Sequence, residues 1–367
     1  YIIRMKNIAS GGVIMNKTFI VTGGSGFLGN NVIRKLIAQG ETDVRALVMP
    51  GDKAQSLQDL DCRIYYGDVT KKETLDEIFD VGQNSEVYVI HCAAVVYIKS
   101  GKNPLVREVN VGGTMNVVDK VLEKNAKLVY VNSVHSIPEK PNGGVMEEIY
   151  DFSPDRVKGI YAKSKAECAA LVLSAVEKRG LNACIVQPSG IIGPGDYGHS
   201  HLTQLIIDFC NHKLTACVKG GYDFVDVRDV ADGIISACYN GKKGNCYILS
   251  NKFITVKQLL DTISEVSGCK KIKTVLPMWF ARLTAPLSEI YYNIRKQPPL
   301  YTSYSLYTLT ANANFSHRKA DCELGYKTTD FTKTVSDAVE WIKAHGEIKP
   351  VALRRKKKLT SNTYNKN

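Results

Sequence analysis

The stretch Phe19-Ile20-Val21-Thr22-Gly23-Gly24-Ser25-Gly26-Phe27-Leu28-Gly29 constrains the fold of this chain more than any other. A short apolar run reads as a buried strand, three glycines follow at G-x-x-G-x-x-G spacing, and Leu28, Val32 and Leu36 recur at helical intervals. The chain must pass from strand through tight turn to helix. One reading of the glycines is purely steric, because such turns need residues without a Cβ. The other is chemical: backbone amides can approach a pyrophosphate closely, and the helix dipole favours its charge. On the chemical reading Thr22, Gly23, Ser25, Gly26, Phe27, Leu28 and Gly29 cradle a dinucleotide.

The same alternation continues downstream. Val44–Val48, Arg63–Tyr66, Val87–Ile90, Lys127–Val131 and Ala183–Val186 read as further strands. Between them lie helical patterns such as Asn110, Thr114, Val117, Val118, Val121 and Leu122 on one face. Strands alternating with helices predict an α/β fold with a Rossmann-type, doubly wound parallel sheet, whose ligands bind at the carboxyl ends of the strands. The residues just after each strand are therefore the candidates. Gly67-Asp68-Val69 offers a carboxylate for an adenine amino group, and His91-Cys92-Ala93-Ala94 offers small residues where a dinucleotide lies close. After the fifth strand comes Asn132-Ser133, and 28 residues on come Tyr161 and Lys165, four apart on one helix face. A tyrosine titrates near 10 in isolation, and a neighbouring ammonium favours its phenolate. Tyr161 then exchanges a proton with a substrate oxygen while a nicotinamide exchanges hydride with carbon. Taken alone, Y-x-x-x-K is an ordinary helix pair; its place after a strand ending in a hydroxyl residue gives it chemical meaning.

From about residue 17 to 345 the chain resembles the extended short-chain dehydrogenase/reductase family, within the NAD-dependent epimerase/dehydratase superfamily. The resemblance rests on T-G-x-x-G-x-x-G at Thr22–Gly29, Gly67-Asp68, His91-x-Ala93-Ala94, Asn110-Val111-x-Gly113-Thr114, Ser133, Tyr161-x-x-x-Lys165, Pro188, Gly193-Pro194-Gly195 and Phe224–Ala231. It implies that Tyr161 is the catalytic acid/base, that Lys165 lowers its pKa and holds the nicotinamide ribose, and that Ser133 orients the substrate oxygen. It also implies that Asn110 supports the helix and water chain behind the site, and that Pro188 lies near the nicotinamide. Gln187 stands where many members carry arginine. Within the family, Leu276-Pro277-x-Trp279, Gln297-Pro298-Pro299 and Lys319-Ala320-x-x-x-Leu324-Gly325-Tyr326-Lys327 look most like the branch of 3β-hydroxysteroid dehydrogenases/isomerases and dihydroflavonol reductases. Members of that branch act on flat, apolar, polycyclic alcohols or ketones. The runner-up reading is a nucleotide-sugar epimerase or dehydratase, with Arg282, Arg295 and Lys296 available for a diphosphate; the third is a non-catalytic dinucleotide sensor or scaffold, against which the Ser133, Tyr161 and Lys165 set speaks.

Cofactor choice turns on the end of the second strand, Leu47-Val48-Met49-Pro50-Gly51-Asp52, where an acid favours NAD. None precedes Asp52, and Arg45 and Lys53 are candidates for a 2′-phosphate, so the sequence leans to NADP over NAD.

Four segments are expected: an N-terminal extension at 1–14 with Met15 as the start, a cofactor domain at 15–190 that also receives later segments, a mainly substrate-binding region at 191–345, and a basic, disordered tail at 346–367. The charge of +12 does not point to nucleic acid, because +6 of it falls in 346–367 and +2 in the first fourteen residues. The run Arg354–Lys358 reads as a solvated end, with weak attraction to an anionic membrane surface as the alternative. Ten cysteines without any C-x-x-C pair argue against a disulfide framework or a metal site. No stretch offers the roughly 20 apolar residues of a membrane span or the pattern of a signal peptide, so a cytoplasmic location is expected. The aromatic stretch Leu276–Tyr292 reads as core, as a lid over an apolar pocket or as an interfacial helix. The helices carrying Asn110 and Tyr161 form a face through which the family resemblance implies a homodimer.

Overall fold

The computed structural model describes residues 16–82, 84–97, 101, 103–285 and 302–348. The expected N-terminal extension, Tyr291-Tyr292, Arg295, Lys296, the Gln297-Pro298-Pro299 turn and the basic run at 354–358 lie outside them. Seven parallel strands form the central sheet, in the order β10-β6-β5-β4-β1-β2-β3. They are β1 (Asn16–Thr22), β2 (Val44–Val48), β3 (Arg63–Tyr66), β4 (Ser85–His91), β5 (Lys127–Val131), β6 (Asn182–Pro188) and β10 (Cys246–Leu249). The strand order reverses between β1 and β4, which opens a crevice at their carboxyl ends.

Period-2 alternation explains how the sheet is covered. Phe19 and Val21 of β1 point to a core shared with Val32, Ile33 and Leu36 of α1 (Phe27–Ala38), while Ile20 points to the opposite core with Val117, Val121, Cys168 and Val172. That second face is closed by α2 (Thr114–Glu123) and α3 (Ile160–Arg179). Six of the cysteines are buried or half-buried within these layers as free thiols, in keeping with small core residues; Cys210, Cys217 and Cys269 are buried in a separate core, and Cys322 is exposed.

Cys246–Leu249, beyond residue 190, pairs with β6 in the cofactor sheet, because all four of its residues are buried and need cover on both faces. The helix face running from Asn110 is interrupted: Glu108–Gly113 is π-helical before α2 begins. Asn110 causes no loss of pairing there, since its amide spans Val95 and Ser164. Such single-turn π segments concentrate where a side chain must be re-aimed.

The remaining strands β7 (Gly190–Ile192), β9 (Gly221–Asp226) and β11 (Lys252–Thr255) make a small mixed sheet, and β8 (Ala216–Val218) pairs with β12 (Thr274–Leu276). They pack with α4 (His201–Cys210), α6 (Val256–Ser267) and the late helix Phe331–Ala344 around Ile192, Phe209, Leu260, Ile263, Val335 and Ile342. Between α4 and α6, helix α5 (Val227–Asn240) packs back onto α1, so the cofactor layer draws on residues beyond 190. The short α7 (Ser303–Thr308) completes the wall above α3. Among the described residues no helix is long and apolar enough to cross a membrane.

Candidate active site

Backbone sterics shape the turn after β1. Gly23 has φ +67°, and a Cβ on it would sit 2.9 Å from the Ala93 backbone. A Cβ on Gly29 would lie 2.1 Å from the Gly23 carbonyl oxygen, so only glycine lets α1 start this close to the strand. Gly26 caps α1 without any side-chain hydrogen bond, and the first turn carries no acid. The first amides of α1, from Phe27 and Leu28, are thus left for an anion such as a pyrophosphate, and at Gly26 a Cβ would sit 3.2 Å from the Gly23 carbonyl oxygen. Sequence reasoning missed Asn30 and Asn31. Their side-chain amides donate to Gly195 O (3.0 Å) and Pro194 O (3.2 Å), tying the first turn of α1 to the loop after β7.

The strand ends around this turn are cross-braced. Thr22 Oγ1 meets His91 Nδ1 at 2.7 Å and accepts from Ala93 N, while His91 Nε2 meets Thr114 Oγ1 at 3.0 Å. Burial, assisted by the Lys165 charge, pushes His91 down to about 3, so it is a neutral strut and not an acid. Asp68 Oδ1 accepts from Thr70 N and Oγ1. Val69 packs against Gly113, where a Cβ would come within 2.6 Å of its methyl group. Pro188 closes β6 beside Leu249, and Ala93 and Ala94 follow β4.

Ser133, at the end of β5, has its Oγ bonded by His135 N (3.3 Å) and its carbonyl by Ser136 Oγ (2.7 Å). His135, whose amide bonds Ser133 Oγ, packs its ring edge-on to Tyr161 near the start of α3, with centroids 6.1 Å apart. Tyr161 is 8% exposed, and burial raises its pKa; the nearby Ser133 side chain opposes that rise. Lys165 does not produce the expected lowering here. Its Nζ donates to Val131 O at 2.8 Å and lies 3.5 Å from the Tyr130 hydroxyl. Lys165 is itself desolvated, and burial lowers it to about 8. Asn110 donates to Ser164 Oγ (3.0 Å) on the same helix, between Tyr161 and Lys165, and so fixes the α3 turn that carries both.

Arg45 is not available to any cofactor. It is buried, and its guanidinium is spent on Asp43, Ile78 O and Asp80 O. Asp52 instead reaches the glycine turn: Ser25 Oγ donates to it at 2.7 Å and Ala54 N at 2.8 Å.

Next to the catalytic group lies a cavity of 340 Å³ whose walls include His135, Met146, Tyr222, Tyr304, Tyr307 and Phe315, with the exposed Glu139, Arg156 and Lys158 also contributing. The residues Leu276–Ala285 do not line it. Trp279 and Leu283 are each 68% exposed, while Ala281 and Ala285 pack on Leu306. Arg282 binds Thr310 Oγ1 away from the cavity walls.

Comparison with known proteins agrees with this geometry. The model of the NAD dependent epimerase/dehydratase family matches residues 19–249. Sterol demethylase protein B of Methylococcus capsulatus is 28% identical over 90% of this chain and 100% of its own. A putative dihydroflavonol 4-reductase of Synechocystis is 29% identical over 92% of this chain and 98% of its own. The crystal structure of gox2253 superposes with a TM-score of 0.78 at 30% identity, covering 90% of this chain and 99% of that one.

Proposed function

We propose, from the premise that the chain belongs to the NAD dependent epimerase/dehydratase family and is an NAD(P)-dependent oxidoreductase of the short-chain dehydrogenase/reductase type, that it interconverts a secondary alcohol and a ketone on a flat, largely apolar ring system. The observation that carries the reading is the gathering of Ser133 and Tyr161 around His135, which lines the aromatic cavity, bonds Ser133 Oγ through its amide and packs its ring on Tyr161. Sterol-like and dihydroflavonol-like ring ketones are the substrate classes that the two named relatives suggest. A nucleotide sugar is the second reading: Arg282 lies away from the cavity, whose basic residues are the exposed Arg156 and Lys158 beside a mostly aromatic wall.

When bound, the nicotinamide supplies or accepts the hydride. The chain's own residues handle the oxygen. The Tyr161 hydroxyl gives its proton to the carbonyl oxygen as hydride reaches the carbon, and takes it back in the oxidative direction. The Ser133 hydroxyl donates to the same oxygen and holds it in line. Lys165, desolvated and close to neutral pH in its titration, exchanges a proton more readily than an ordinary lysine and binds the ribose hydroxyls. Asp68 receives the adenine amino group at its carboxylate.

The residues around the turn favour NAD over the NADP to which the sequence leans. A 2′-phosphate beside Ser25 faces the Asp52 carboxylate, and Arg45 cannot neutralise it. The reaction is tested by following reduced-nicotinamide absorbance with a ring ketone and each cofactor. Tyr161→Phe is expected to cut turnover by about 10³-fold with cofactor affinity retained. Undiminished turnover in that variant, or conversion of a UDP-hexose with no activity on ring ketones, overturns the reading.

A further inference from the structure

We propose that His135 and Tyr304 form a second oxygen-binding subsite beside Ser133 and Tyr161, so that the preferred substrate carries a hydroxyl or carbonyl on the carbon next to the reacting one. This rests on the reductase reading above and narrows its substrate class.

His135 sits at the centre of the polar end of the cavity. Its backbone amide donates to Ser133 Oγ, so its ring is held two residues from the group that orients the reacting oxygen. The ring packs edge-on to Tyr161 (6.1 Å between centroids, 73°), stacks on Tyr222 (5.5 Å, 16°) and faces Tyr304 at 6.4 Å. Its Nε2 is taken by the Tyr222 hydroxyl at 3.2 Å. The imidazole lies deep in the protein yet still presents surface to the cavity. Burial lowers it to about 4, so at neutral pH it offers a neutral imidazole edge. A neutral edge suits a hydroxyl or carbonyl and not a phosphate or carboxylate.

Tyr304 supplies the second observation. Its hydroxyl is buried and has no hydrogen-bond partner among the described residues. A phenol left in that state carries a desolvation penalty, and few native groups are left so. The position of the ring is enforced from the other side. Gly159, two residues before Tyr161, has φ +93°, and a Cβ there would lie 2.3 Å from Tyr304 Cε2. Only glycine at 159 admits the Tyr304 ring to the start of the catalytic helix. The hydroxyl is close enough to Tyr161 and Tyr222 to push both phenols up. Four polar groups from three segments thus converge: Ser133 and Tyr161 for the reacting oxygen, His135 and Tyr304 for its neighbour. His135 and Ser133 belong to one turn, so an oxygen held by His135 sits close to the reacting one, as a substituent on a neighbouring carbon does.

The test uses the full chain with reduced cofactor and two ligands that differ by one hydroxyl: a dihydroflavonol, and the flavanone lacking the hydroxyl beside the ketone. Affinities are measured by calorimetric titration, separately from turnover. The wild type is expected to bind the dihydroflavonol at least about tenfold more tightly, as sites built to pair with a hydroxyl do. His135→Phe is expected to bring that ratio to about two, and Tyr304→Phe, which keeps the ring on Gly159, to lower it about threefold. A wild type that does not distinguish the ligands, or variants that weaken both equally, overturns the subsite. Selective binding without any consumption of reduced nicotinamide leaves the subsite standing and removes the reductase reading. Equal turnover of both ketones does the reverse.

Discussion

The cofactor cradle and the substrate cavity share one edge of the sheet but are built on opposite terms. The cradle is backbone: Gly23 and Gly29 are required because atoms of Ala93 and Gly23 occupy the places where side chains would go. The cavity is side chain: Met146, Tyr222, Tyr304 and Phe315 come from distant segments, and each wall position asks only for bulk and an occasional polar tip. A backbone requirement admits one residue type at fixed spacing and is visible in a single sequence. A wall assembled from afar leaves no spacing to read. The cradle therefore specifies what is bound in general terms, and the cavity specifies which substrate.

The largest effect expected outside the proton-transfer step comes from Lys165, where the two regions meet. Burial holds this lysine at about 8, below its ordinary 10.5, which makes the native state unstable by about 3 kcal/mol wherever the amine must stay charged. Below pH 8 both native and unfolded chains carry the proton, and the full penalty applies. Between 8 and 10.5 the unfolded chain holds a proton that the native one has lost, so stability rises with pH, and above 10.5 the penalty is gone. Lys165→Met should raise the unfolding free energy at pH 7 by up to this amount and flatten the rise, while lowering activity. Urea titrations at pH 7 and pH 10 check it; an unchanged slope would mean that the buried amine is already solvated or paired.

The sequence carried most of the cofactor side. The spacing in Thr22–Gly29, the strands Val44–Val48, Arg63–Tyr66 and Lys127–Val131, and the placement of Ser133 and Tyr161 after strands all follow from periodicity and glycine. Asn110 was identifiable, but not the π-helical turn around it, because that turn depends on a tertiary bond to Ser164. Arg45 looked like a phosphate ligand because sequence does not show which end of a strand a side chain occupies once Asp43 and the carbonyls at 78 and 80 fold over it. Trp279 and Leu283 read as possible lid residues because apolar density alone does not separate a cavity wall from an exposed helix face. Tyr304 carried no signal at all; only its contact with Gly159 gives it a role.

A pair of glycine substitutions sharpens the contrast between the regions. In Gly29→Ala the new methyl meets the Gly23 carbonyl, and neither backbone can retreat without opening the turn. A loss of about 2–3 kcal/mol in stability is expected, together with most of the affinity for NAD(H). In Gly159→Ala the methyl meets a side chain, Tyr304, which can swing away at the expense of a strained φ of about 1–2 kcal/mol. Cofactor affinity should survive there while substrate discrimination falls. Thermal unfolding and nicotinamide fluorescence on both variants decide the matter, and equal loss of cofactor binding in the two would erase the distinction between a backbone cradle and a side-chain wall.

The smallest expected effect concerns which dinucleotide the cradle prefers, and it is the one point where a side chain intrudes on the backbone region. Asp52 lies beyond the end of β2, and it reaches the turn only because Ser25 Oγ and Ala54 N hold its two oxygens. Ala54 adopts φ +47° to make that return, and Ser56 Oγ closes the loop onto Ser25 O at 2.8 Å. The carboxylate is exposed, so its repulsion of a 2′-phosphate is screened and modest. Asp52→Asn keeps the shape and the bond to Ser25 but removes the charge, leaving the neighbouring exposed Lys53 as the nearest ionised group in the sequence. The ratio of NADPH to NADH affinity should rise about tenfold, or roughly 1.4 kcal/mol, and the rise should shrink as salt is added. A ratio that does not move would place the control of cofactor choice in the loop backbone, and the cradle would then be read by its main chain alone.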